Sequence, residues 1–104
     1  MEPHYFRDAS NRLTHDRADI GSHSYPDVCR QVAYHFNLKP SSELVIGLHE
    51  MFWDFTNGKL TVELAWDTWL YFTITAKEPD AEPLVRQMAN FLSEILPPKL
   101  ETSS

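Results

Sequence analysis

Two carboxylates, five histidines and one cysteine are the side chains whose chemistry could do the most, and their spacing decides which chemistry is open to them. Asp54 and Glu63 fall on adjacent predicted strands, pointing to the same face, where an acid and a base could share a shallow groove. Two acids on a solvated face of an acidic protein are the plainer reading, because most surface charges carry no chemistry.

His4, His15, His23, His35 and His49 show neither an H-x-H nor an H-x-x-x-H spacing, and His49-Glu50 lacks the second histidine of a zinc-protease helix. No metal site and no cofactor are expected. Cys29 and His35 share one predicted helix, but six residues separate them and Cys29 lies on its apolar stripe, where a thiol is ordinarily inert packing. With three glycines in the chain, neither a nucleophile elbow for a serine hydrolase nor a phosphate-binding loop can be drawn.

These residues must be positioned by a small framework. A chain of 104 residues, 42% hydrophobic and 23% charged, has the size and composition of one globular domain. Residues 1–22 are polar and weakly patterned and read as an irregular arm anchored by Tyr5 and Phe6. Residues 23–97 read as a single α+β domain, and 98–104 as a flexible tail.

Ser24-Tyr25-Pro26-Asp27 is a helix start, with Ser24 as cap; Tyr25, Val28 or Cys29, Val32, Ala33 and Phe36 then recur on one stripe. Asn37 suits the left-handed residue that ends a helix. Leu44-Val45-Ile46 is a short β-prone run. Two longer strands flank Asn57-Gly58, a strong hairpin signal. A two-residue loop there sets Phe55 opposite Leu60, Trp53 opposite Val62 and Met51 opposite Leu64, all on one apolar face. The other face then carries Asp54 opposite Thr61 and Phe52 opposite Glu63.

Trp69 to Ala76 alternates with Leu70, Phe72, Ile74 and Ala76 inward. Keeping those faces consistent requires an odd-length loop or a bulge around Trp66 to Trp69. A second helix begins near Pro79-Asp80, with Asp80 as cap, and buries Leu84, Val85, Met88, Leu92 and Ile95. The expected fold is a two-layer sandwich: helix, antiparallel meander of three or four strands, helix, with both helices on one face of the sheet.

The outer face then displays Phe52, Asp54, Glu63, Tyr71 and Thr73, with Trp66 and Trp69 at the corner. Large aromatics there are either covered by the N-terminal arm or used to bind. A net charge of −6 argues against nucleic acid and against an anionic membrane. A single cysteine, with no signal peptide or membrane-length apolar run, fits the cytoplasm.

The leading expectation is a non-enzymatic acidic binding module of inhibitor, immunity or chaperone type. It would recognise a protein partner with basic character through Phe52, Asp54, Glu63, Trp69, Tyr71 and Thr73. The alternatives are a carboxylate-dependent hydrolase or isomerase using Asp54 and Glu63, and a homodimer that pairs sheets over the aromatics.

Overall fold

A computed structural model describes residues 2–97; the tail read at 98–104 lies outside them. The fold is α+β, an open seven-stranded antiparallel sheet with two helices. The strands are β1 (Tyr5–Arg7), β2 (Leu13–Arg17), β3 (Lys39–Pro40), β4 (Val45–Ile46), β5 (Glu50–Thr56), β6 (Thr61–Asp67) and β7 (Tyr71–Ala76). Helix α1 spans Tyr25–His35, and α2 spans Glu82–Ile95 after a 3-10 turn at Pro79–Ala81. The sheet order is β1-β2-β7-β6-β5-β3, with β4 also on β5.

The sheet is larger than the expected meander because the N-terminal segment is not an irregular arm. Its strands form a hairpin that joins the edge of β7. Asp8 closes the turn, accepting the backbone N–H of Ser10 (2.9 Å) and Arg12 (2.8 Å), while Asn11 takes φ +61°. The hairpin is tied to α2 by an Arg7–Glu82 ion pair. It extends the sheet sideways and leaves Phe52 and Tyr71 partly exposed.

Every second strand residue joins one core with the helices: Leu13 on β2, Phe55 on β5, Val62 and Leu64 on β6, Phe72, Ile74 and Ala76 on β7. Tyr25 anchors α1 there, its hydroxyl donating to the Leu64 carbonyl and its ring 6.0 Å from Phe72. Val85, Met88 and Leu92 bring α2 into the same cluster. The C-terminus of α1 follows expectation: Asn37 adopts φ +56° and the Leu38 N–H reaches back to the Ala33 carbonyl at 2.8 Å. The N-terminal caps do not. Ser24 stands at the cap position without a side-chain cap bond, and Ala81 replaces Asp80, which is drawn into the 3-10 turn.

Candidate functional site

The β5–β6 hairpin positions the carboxylates, and its register differs from the expected one by two residues. Thr56 pairs with Thr61, Phe55 with Val62, Trp53 with Leu64 and Met51 with Trp66, so the loop is Asn57 to Leu60. Gly58 takes φ +96°, and the Asn57 side chain does the rest: its Oδ1 accepts the N–H of Lys59 (2.9 Å) and Leu60 (2.8 Å). A shift of two preserves which face each side chain occupies but changes every partner.

Asp54 now stands directly opposite Glu63, Glu50 opposite Asp67, and Phe52 opposite Ala65 between the two acid pairs. Like charges directly opposite in a ladder are destabilising. Lys77 offsets the first pair, its Nζ 3.6 Å from Asp54 Oδ2. Burial raises the pKa of Glu63 above the ordinary carboxylate range; Lys77 opposes that shift and Asp54 adds to it. For Glu50 and Asp67 no cation stands within ion-pair distance among the described residues.

The remaining expected site residues separate. Thr73 is buried (6% exposed) between Ala65 and Asp16 in the ladder, so it is not displayed. Phe52 is 37% exposed on the outer face beside Val45. Trp69 stands at the tip of a three-residue turn, Thr68 to Leu70, the odd length that the side-chain faces require. Asp67 holds that turn by accepting the N–H of Trp69 and Leu70.

Tyr71 follows with φ +65°, a left-handed conformation that costs a bulky residue about 1–2 kcal/mol. Its ring stands edge-on to Trp66 at 5.6 Å. Trp66 packs against the core and donates its indole N–H to the Ile20 carbonyl, so it is not an outer-face residue. Tyr71 therefore lies at the end of the sheet with Trp66 rather than in the middle of the outer face beside Phe52.

That end gathers side chains outside the expected set. The end of β4 carries Ile46 (70% exposed), the β4–β5 turn Leu48 (91%) and the β6–β7 turn Trp69 (88%). Glu50 and Asp67, paired across the ladder, place both turns at one end. A shallow groove there is lined by Ile46, Leu48, Met51, Trp66 and Thr68. The unalternated Leu44-Val45-Ile46 run, followed by Gly47-Leu48, was the available signal that this segment has no inward and outward side.

The nucleophile pair does not form. Cys29 is fully buried, and burial pushes its thiol pKa up to about 12 against an opposing bond from Tyr25, while His35 stacks on Phe91 at 3.9 Å. Among the described residues no three His, Cys, Asp or Glu side chains could hold a metal ion together. No helix there is long and apolar enough to cross a membrane. No family model matches the chain, and neither a curated protein nor a solved structure is significantly similar to it.

Proposed function

We propose that this chain is a non-enzymatic acidic module that binds another protein, one with basic character, through the outer sheet face and the adjoining sheet end. In this reading the two helices share the inner face as a second layer, the rest of the sheet is left for the partner, and the protein works in the cytoplasm. One observation carries the proposal. Ile46, Leu48, Trp69 and Tyr71 are exposed together at one end of the sheet, beside the opposed carboxylates of Glu50 and Asp67. Clustered exposed aromatics and aliphatics mark interaction surfaces, and aromatic anchors dominate interface energetics. The carboxylates suit a partner that brings cations.

Trp69→Asp and Tyr71→Asn test it. Trp69 is exposed, and asparagine tolerates the left-handed backbone at position 71 without setting a charge opposite Asp67, so both variants should keep the fold. The protein captured from native cell extract by the wild type should be lost, with affinity down about thirtyfold or more for an anchor residue. Undiminished capture by both variants sinks the proposal.

The raised pKa of Glu63 opposite Asp54 favours a second reading, a carboxylate-dependent hydrolase or isomerase. Two variants separate the readings: under the binding reading Trp69→Asp abolishes capture, whereas under the enzymatic one turnover is lost in Glu63→Gln and survives in Trp69→Asp.

A further inference from the structure

Strand β4 is an edge without the usual protection. Among the described residues it pairs with β5 alone. Natural edge strands discourage further pairing with lysine, proline or short length, and β3, on the same side of β5, is Lys39-Pro40. β4 is short as well, but its residues are Val45-Ile46, both exposed, and Leu48 follows in the turn.

The backbone of β4 is also available. Gly47 donates its N–H to the Glu50 carbonyl at 2.7 Å. Because inward and outward residues alternate along an antiparallel ladder, the N–H and C=O of Ile46 point away from β5 to the open side. Together they offer one donor and one acceptor to an incoming strand, with exposed aliphatic side chains on both sides of it.

Charge selects the occupant. Glu43 precedes β4 and Glu50 follows its turn, so each end of an added strand would lie near a carboxylate. A second copy of this chain would bring the same acids and another −6 of net charge. A segment alternating cations with apolar residues can set its cations on the face of Glu43 and Glu50 and its apolar side chains against Ile46 on the other.

We infer that β4 receives an extended, basic segment of the partner as an additional strand of the sheet. This rests on the binding reading above and specifies how the partner docks.

The probe is a short peptide alternating Lys and Val, with a Glu/Val peptide as control, measured by fluorescence anisotropy and by amide exchange of the full chain. The Lys/Val peptide should bind, the control should not, and binding should slow exchange at the Ile46 N–H. Ile46→Pro removes that donor without touching the β4–β5 ladder and should weaken binding about tenfold, the worth of one backbone hydrogen bond. Slow exchange at the Gly47 N–H verifies that the edge of the variant is intact.

Glu43→Lys with Glu50→Lys, which needs no backbone change, should reverse the preference between the two peptides. Binding without protection of Ile46, no binding of the Lys/Val peptide, or a wild-type dimer that Ile46→Pro dissociates would each overturn strand addition. If natural-partner capture survives Ile46→Pro but is lost in Trp69→Asp, strand addition fails and the binding surface stands. Capture lost only in Ile46→Pro instead overturns the aromatic surface.

Discussion

Replacing His15 by phenylalanine should remove a specific part of the protein's sensitivity to acid. His15 is 1% exposed on β2, with its ring 5.5 Å from Tyr5 and one nitrogen 2.7 Å from the His4 carbonyl. An N–H must sit on Nδ1 to make that bond, which leaves Nε2 as an acceptor with no partner. Burial holds the imidazole pKa below its ordinary 6.5; the charges of Arg17 and His4 lower it further, while the His4 carbonyl and Asp16 act in opposition.

The folded state therefore favours the neutral ring, and the unfolded state takes up the proton first as pH falls. Stability from this group is complete above about pH 6.5 and declines below it, until the folded-state pKa is passed. Between pH 7.5 and pH 5.5 the unfolding free energy should fall by at most about 1.4 kcal/mol, the limit set by one proton bound only by an unfolded chain of ordinary histidine pKa. Urea unfolding of wild type and His15→Phe across that range measures it. The His4–Asp16 ion pair and the surface carboxylates are common to both chains and cancel in the difference. A wild-type minus variant difference that does not change with pH would refute the assignment of a buried neutral imidazole.

The Cys29 thiol, with its pKa pushed up to about 12 and its sulfur buried, should resist a thiol reagent near pH 8 until the chain is unfolded, so its labelling rate should track unfolding. Asn57→Ala removes the acceptor for two backbone N–H groups at the exposed hairpin tip and should cost about 1–2 kcal/mol of unfolding free energy, read as a lower denaturant midpoint with no change in slope.

The parity of the strands was legible in the sequence because it is set by what burial forbids. Any odd slip of the β5–β6 hairpin would have put either Asp54 or Glu63 into the core, and the same logic required the odd β6–β7 loop that the structure contains. The register was less legible. Asn57-Gly58 resembles a two-residue turn, but only Gly58 takes positive φ; the Asn57 side chain stands in for a backbone acceptor and lengthens the loop to four residues. Strand β2 was invisible for a different reason. Its core-facing residues are Leu13, His15 and Arg17, and the two polar ones erase the alternation that hydropathy detects. Arg17 is buried because Asp19 takes its guanidinium at two points and the Leu96 carbonyl accepts a further N–H, partners that only the tertiary fold supplies.

The departures from local rules are not spread evenly. Phe72, Ile74, Val62 and Leu64 obey alternation and are fully buried. At the end of the sheet, Tyr71 holds a left-handed backbone at about 1–2 kcal/mol, and Glu50 faces Asp67 at a further few tenths to 1 kcal/mol. Against a domain stability of about 5–15 kcal/mol those costs are appreciable, and a glycine at 71 or a lysine at 50 would relieve them. They fall beside Ile46, Leu48 and Trp69, the side chains whose exposure folding alone does not explain. A strained backbone, an uncompensated acid pair and exposed apolar turns have independent physical causes. Their meeting at one end of the molecule is what an interaction surface requires, since an energy cost in the free chain is tolerable where a partner's cations and apolar side chains offset it.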